Sequence, residues 1–341
     1  MNYNSLNLLK TKVYCSKTNE NEFVQSIFGL LTDKLSGHME RWEYGAPEYA
    51  GDPAAGSVFW AEFIRTTNEY YLLNGEELLI KEAINGGKLN ILSNLKTVVE
   101  LGPGSKDALN KKTVPFLSAC TDLRSYIAVD SEMSQAENAI KQIHNTYKLL
   151  TTHAIEQSFE TLSLNVPRLG PTGMIMWGCT LGNIPGHWGM NPYNQLLQSL
   201  KILKNSINSG DQIFISFDTE EHEQSILNAY NHPLLSACFL SPLHRLVRDN
   251  LVSGKFDPNK WQHESVWVPE TMQCAHTIYP IEDQNFELCG TRILIPRKKK
   301  FITNNSYKFK PETIISASKK AGFVSRIYQY ESMALLIAKK A

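Results

Sequence analysis

From residue 97 onward, short apolar runs alternate with amphipathic stretches, a pattern that predicts strand, helix, strand. Thr97, Val98 and Val99 form a β-branched run closed by Glu100 and Leu101, with glycines at positions 102 and 104. Further apolar runs occupy 126–129, 174–177 and 212–217, and residues 196–207 read as a helix before Asn208-Ser209-Gly210-Asp211. Four strands separated by helical segments predict a parallel, doubly wound α/β sheet with right-handed crossovers. Upstream of Leu95 the pattern is helical. It is interrupted by a Gly-, Pro- and Ala-rich loop at 44–56, and Phe59, Trp60 and Phe63 follow at the spacing of a core-facing helix. After residue 219 the rhythm breaks into a helical stretch at 230–251 and strand-like runs at 264–268, 277–279 and 292–296. That region is expected to be an insertion covering the strand ends. A helix at 311–321 and a hairpin formed by 324–328 with 333–338 complete the expected fold.

The stretch 96–106, KTVVELGPGSK, carries the first chemistry. A buried strand running into a glycine turn is where an open α/β sheet receives a nucleotide-like ligand. Glycine suits such a turn because a Cβ would keep the backbone from approaching the ligand. No third glycine opens the next helix, so the dinucleotide fingerprint is incomplete. An acid two places before the first glycine, as in ELGPG, suits S-adenosylmethionine, whose amino group donates hydrogen bonds. At this point S-adenosylmethionine, a dinucleotide and an ordinary strand turn all remain open. Asp130 ends the second apolar run 28 residues after Gly102, a distance that fits one crossover helix. A carboxylate there can accept both hydroxyls of an adenosine ribose, or cap the helix that follows.

Composition narrows the partners. Of 341 residues, 42% are apolar and 20% charged, as in an ordinary globular protein. The 34 basic residues balance the 34 acidic ones, so no global field draws in nucleic acid or anionic lipid. No stretch has the length of a membrane span or of a signal-peptide core. The six cysteines are scattered without a CxxC pair, which predicts reduced thiols in a cytoplasmic protein and no metal site.

Several separated motifs now fall in one order: ELGPGS, Asp130, the GCTLGN loop at 178–183, the AYN at 229–231 and the SYKF at 306–309. Together they resemble the S-adenosylmethionine-dependent histidine-specific Nα-methyltransferases of ergothioneine biosynthesis, over nearly the whole chain from about Tyr49 to Ala338. The resemblance implies a Rossmann-like class I methyltransferase core plus a second, substrate-binding domain. The expected division is 76–218 with 310–341 for the core, and 1–75 with the insertion 219–309 for the second domain. It further implies a cytoplasmic enzyme that methylates the α-amine of an amino acid, histidine or a relative, and releases S-adenosylhomocysteine. A small-molecule acceptor and a monomer are expected, oligomers remaining open.

By the same resemblance, the cofactor would be held by Glu100, Gly102, Gly104, Lys106, Asp130, Ser158 and Phe159. Ser158 stands where the family has an aspartate beside the adenine. Asn183 would grip the acceptor's α-amino and α-carboxylate groups, with Gly178 on the same loop and Tyr70, Tyr230 and Tyr49 closing on the backbone. An asparagine offers donors and an acceptor, so it can bind both halves of a zwitterion while uncharged. The family glutamate that reads the histidine ring is here Asn304. Ser306 is retained, and the apolar pocket residue falls near His276. No dedicated catalytic base is expected. Three alternatives stand beside this reading: another small amine as acceptor, a non-catalytic cofactor-binding homologue, and a nicotinamide-dependent oxidoreductase.

Overall fold

The computed structural model describes residues 18–33, 52–67, 70–158, 162, 168–183 and 191–341. Three helices come first: α1 (Thr18–Leu31), α2 (Gly56–Thr66) and α3 (Tyr71–Asn85). Leu72, Leu79, Ile80 and Ala83 recur at helical spacing along α3 and are all buried, which is why that segment is a helix with one committed face. The strand β1 (Thr97–Leu101) is buried at every position, as an all-parallel neighbourhood with both faces covered requires.

After β1 the chain forms a helix in three pieces: α4 (Lys106–Ala108), a π-turn over Leu109–Thr113, and α5 (Val114–Ser118). β2 (Ser125–Asp130), α6 (Met133–Thr146), β3 (Thr151–Glu156), β4 (Thr172–Met176), α7 (Pro192–Asn205) and β5 (Gln212–Asp218) follow. Asn191 caps α7, accepting from the Tyr193 amide at 2.8 Å, and Pro192 occupies the first helical position, where its missing N–H costs nothing. The chain continues through α8 (Glu223–Tyr230), α9 (Pro233–Arg248), β6 (Val252–Lys255), β7 (Trp261–Val268), β8 (Gln273–Pro280), β9 (Gln284–Leu288), β10 (Thr291–Ile295) and β11 (Phe301–Tyr307). It ends in α10 (Pro311–Ala321), β12 (Phe323–Tyr330) and β13 (Met333–Lys340).

The large sheet has the order β12-β13-β5-β4-β1-β2-β3. β3, β2, β1, β4 and β5 are parallel, while β13 runs antiparallel to both β5 and β12. One face is filled by Val99, Ile127, Met174 and Ile213 against Leu196, Leu200 and Leu203 of α7 and Ile314 and Ala317 of α10. Each fully buried aliphatic side chain there contributes about 1.5–3 kcal/mol. Because β2 and β3 continue on one side of β1 and β4 and β5 on the other, the direction of winding reverses between β1 and β4. In open α/β sheets, ligands bind outside the carboxyl ends of the strands at such a point.

The chain divides into two compact units. One comprises Thr67–Ala229, Val268–Gln273 and Ser306–Ala341 and contains the large sheet; the other comprises Met1–Thr66, Tyr230–Trp267 and Cys274–Asn305. In the latter, α2 packs on α9, and the Phe63 ring lies 5.3 Å from that of His232. Two three-stranded sheets, β10-β9-β6 and β11-β8-β7, complete the strand inventory.

The four expected strands, the terminal hairpin and the helix at 311–321 are present. Four strands are additional: β3, β6, β9 and β11. β3 (TTHAIE) lies at the sheet edge with every residue at least partly exposed, so it carries no apolar run. β6 is short and exposed, and β9 and β11 interleave buried with exposed or half-buried residues, so none of them carries a continuous apolar run.

Candidate active site

The parallel register puts Leu101 beside Val129 of β2 and beside Met176 of β4. The turn after β1, Asp130 and the loop beginning at Trp177 therefore leave neighbouring strands at the same edge of the sheet. Gly102 and Gly104 have φ of 66° and 71°, a conformation that side chains with a Cβ rarely adopt. The Gly102 amide donates to the Val129 carbonyl at 2.9 Å, which ties the turn to β2. A Cβ on Gly104 would meet Ala108 at 3.8 Å, an ordinary contact, so the left-handed backbone rather than crowding is what favours glycine there. Ser105 caps the following helix, accepting from the Ala108 amide, and Lys106 is exposed at its first position.

Asp130 closes β2, its Oδ1 accepting from the Glu132 amide at 3.0 Å. Its carbonyl receives the Gln157 amide at 2.8 Å, which brings the chain at Ser158 to the same edge. This arrangement fits an adenosine-bearing ligand: glycine backbone at the turn, and a carboxylate one strand away. Phe159 and Tyr49 lie outside the described residues.

Glu100 departs from the expectation of an open carboxylate. It is 1% exposed. Thr113 Oγ1 donates to its Oε1 at 2.6 Å, and the Tyr126 hydroxyl to its Oε2 at 2.5 Å. Burial pushes its carboxyl up to about 7, against the opposing pull of those two hydrogen bonds. The physical reason is its place one residue inside a central strand, where Glu100 ties β1 to Thr113 of the π-turn and to Tyr126 of β2.

The loop after β4 begins with two left-handed residues, Gly178 at φ 74° and Cys179 at φ 54°. Thr180 Oγ1 donates back to the Trp177 carbonyl at 2.8 Å, and the Gly182 amide to the Cys179 carbonyl at 2.9 Å. A Cβ on Gly182 would overlap the Tyr307 carbonyl oxygen, so only glycine fits there. Asn183, the last residue of this short helical turn, is exposed.

Two buried ion pairs lie under this loop. The Gly178 amide donates to Glu76 Oε1 at 2.6 Å, Lys112 Nζ donates to Glu76 Oε2 at 2.7 Å, and the Ser216 hydroxyl also donates to Oε1. Asp218 Oδ2 receives the Tyr71 hydroxyl at 2.7 Å and Lys308 Nζ at 2.6 Å, and its Oδ1 receives the Glu220 amide at 2.9 Å. Burial, with the Glu76 and Asp218 charges behind it, holds the Cys179 thiol well above its usual range, so it is no nucleophile. Tyr70 is buried at the residue before α3. The sequence reading missed Glu76, Lys112, Tyr71, Asp218 and Lys308. Their partners lie up to 147 positions away, and only Lys308 sits inside a motif.

A separate cluster forms in the other unit, around His276, which is 1% exposed. Its ring stacks on Phe239 with centroids 4.4 Å apart, lies 5.0 Å from Tyr230, and its Nδ1 is 3.0 Å from Ser265 Oγ. Asn231 Oδ1 fixes the Ser265 amide at 3.1 Å, and Thr303 Oγ1 donates to the His276 carbonyl at 3.0 Å. Tyr230 and His276 are thus brought together. Asn304, next along β11, is half-buried, and Ser306 is buried. Burial pushes the nearby His263 imidazole down to about 4, leaving it neutral. Among the described residues no group of three or more His, Cys, Asp or Glu side chains could hold a metal ion, and no helix is long and apolar enough to cross a membrane.

The chain is similar to known methyltransferases. The histidine N-alpha-methyltransferase of Mycolicibacterium smegmatis (strain ATCC 700084 / mc(2)155) is 22% identical over 275 residues, which span 79% of this chain and 81% of the relative. That of Mycobacterium tuberculosis (strain CDC 1551 / Oshkosh) is 24% identical over 243 residues, 70% of each chain. Among solved structures, the sugar N-methyltransferase KedS8 from Streptoalloteichus sp. overlaps 78% of this chain and 87% of its own at 9% identity, with a TM-score of 0.42. The family profile described as histidine-specific methyltransferase, SAM-dependent, matches residues 49–335. With the glycine turn, Asp130 and the 178–183 loop gathered at one sheet edge, the chain belongs to the S-adenosylmethionine-dependent histidine-specific methyltransferase family.

Proposed function

We propose that the enzyme transfers one or more methyl groups from S-adenosylmethionine to the α-amine of histidine or a closely related amino acid. The observation that carries this reading is the strand order β4-β1-β2, which sets the 178–183 loop beside the glycine turn and Asp130. Gly102, Gly104, Lys106, Asp130, Ser158 and Phe159 would hold the cofactor, with Glu100 tying β1 to the π-turn and to β2. When bound, S-adenosylmethionine supplies an electrophilic sulfonium methyl. Asn183, with Gly178, Tyr70, Tyr230 and Tyr49, would fix the acceptor's amino and carboxylate groups. Holding two reactants in one geometry can supply about 7–11 kcal/mol of the barrier. Glu76, Glu100 and Asp218 are each 1% exposed, so no carboxylate of this set meets the amine, and its proton leaves to solvent. A reducing cytoplasmic setting suits the buried thiols of Cys120, Cys179 and Cys238, and a monomer suffices.

The acceptor side chain would be read by Asn304, Ser306 and His276. Asn304 favours a second reading, in which the acceptor is an amino acid other than histidine, because an amide cannot stabilise an imidazolium as a carboxylate does. The deciding experiment incubates the protein with methyl-labelled S-adenosylmethionine and a panel of the common amino acids, followed by mass spectrometry. Labelled Nα-methylhistidine supports the first reading, and a different labelled amino acid supports the second. Cofactor binding without label transfer to any amino acid would overturn both, in favour of another small amine or a non-catalytic homologue.

A further inference from the structure

Helix α3 holds Tyr70 at its N-terminal end and Glu76 on its buried face. Glu76 is 1% exposed and Lys112 5%, so their ion pair is shielded from water. The pair stands where the chain is least able to hold itself. Gly178 and Cys179 are consecutive left-handed residues, the second carries a Cβ, and this conformation costs side chains about 1–2 kcal/mol. Among the described residues, the Gly178 amide is held in that conformation by Glu76 Oε1 at 2.6 Å. Ser216, on β5, donates to the same oxygen, and Lys112 anchors the other oxygen to the π-turn. One carboxylate thus joins α3, the π-turn and β5 to the first amide of the loop that ends at Asn183.

We propose that Glu76 is a positioning residue for the acceptor: by holding the Gly178 amide it fixes the turn that presents Asn183, and Lys112 holds Glu76 in place. The inference rests on the assignment of Asn183 to the acceptor. Glu76 touches neither reactant. Its loss weakens acceptor use while leaving intact the cofactor turn, which the Gly102 amide ties to the Val129 carbonyl.

The test compares two double variants of the full chain, Glu76→Leu with Lys112→Met and Glu76→Gln with Lys112→Met. Neither leaves a charge buried alone, and replacing a buried pair by neutral side chains of similar volume is generally tolerated. The two differ in whether an oxygen remains to accept from the Gly178 amide. Calorimetry should give both an S-adenosylmethionine Kd within about threefold of wild type. The leucine variant should raise the acceptor KM by about tenfold, as loss of a buried hydrogen bond does, and the glutamine variant should recover most of it. Amide exchange across 178–183, measured without any acceptor, should be faster in the leucine variant than in the glutamine variant. Equal exchange in the two, or an equal loss of cofactor and acceptor affinity, would overturn the proposal. Faster exchange in the leucine variant, in a wild-type protein that methylates no amino acid, would leave the turn-positioning role standing and remove the acceptor assignment instead.

Discussion

The turns after β1 and β4 leave neighbouring strands at one sheet edge, and a buried carboxylate accompanies each, but in different ways. Glu76 accepts from the Gly178 amide of its turn, whereas Glu100 ties β1 to the π-turn and β2. Two residues before Gly102, Glu100 is held by two neutral hydroxyls, from Thr113 and Tyr126. Beneath Gly178, Glu76 is held by the Lys112 cation, the loop amide and Ser216. The hydroxyl-held carboxylate has its carboxyl pushed up to about 7, so near neutral pH it carries a proton much of the time. The cation-held one is locked into a salt bridge whose partner cannot be removed cheaply. Lys112 and Thr113 are consecutive residues of one π-turn, so a single local distortion serves both supports. A π-turn inside a helix frequently marks a functional site; here it directs two neighbouring side chains to two carboxylates.

The comparison breaks most visibly at Lys112. Lys112→Met leaves Glu76 buried without its cation and should destabilise the fold by about 3–5 kcal/mol, read from urea unfolding. A loss below about 1 kcal/mol would mean that the Glu76 support is no stronger than the neutral one.

Glu100 offers the next largest effect, through pH. Its carboxyl, ordinarily near 4.5, titrates near 7 in the fold, so between those values the folded chain keeps a proton that the unfolded chain has released. Stability therefore falls as pH rises from about 4.5 to about 7, by about 3 kcal/mol in all. Glu100→Gln removes that slope. Its unfolding free energy relative to wild type should improve by about 2–3 kcal/mol between pH 5 and pH 8, and parallel curves would refute the neutral-support picture.

Function separates the two turns more gently. Asn183→Ala should raise the acceptor KM by about tenfold, roughly 1.4 kcal/mol, while the S-adenosylmethionine Kd measured by calorimetry stays within about threefold. Equal losses would contradict the division of labour between the turns. Thr113→Val is the mildest change, removing one of the two hydroxyls on Glu100, and should cost about 1 kcal/mol of stability with the acceptor KM unchanged.

What the sequence disclosed follows the physical range of each signal. Val98, Val99, Ile127, Met174 and Ile213 announce strands because all sit in a doubly covered sheet, where burial is written as an unbroken apolar run. The places of Gly102 and Asp130 at the ends of β1 and β2 were readable because motif and strand end coincide. The supports were not. Glu76 reads as one more acid in an amphipathic helix, and its partners Lys112, Gly178 and Ser216 lie 36, 102 and 140 positions away. Strand β11 was equally opaque, since FITNNSY shows two asparagines where an inward-facing run would be apolar. Glu100 was legible as an acid before glycines, but its burial depends on Thr113 and Tyr126 closing over it.

The π-turn has a consequence for insertions and deletions. Each residue of a regular helix advances the side-chain direction by about 100°, so deleting one residue between Leu109 and Thr113 would re-register everything that follows. Lys112 and Thr113 could not then both keep their carboxylates, so the Glu76 hold on the Gly178 turn and the Glu100 tie at the end of β1 would loosen in a single event. Circular dichroism would still report an intact helix after such a deletion, because helix content barely changes. Cofactor and acceptor binding would fail together, unlike any single substitution above, marking the extra residue as a shared point of failure for the two halves of the site.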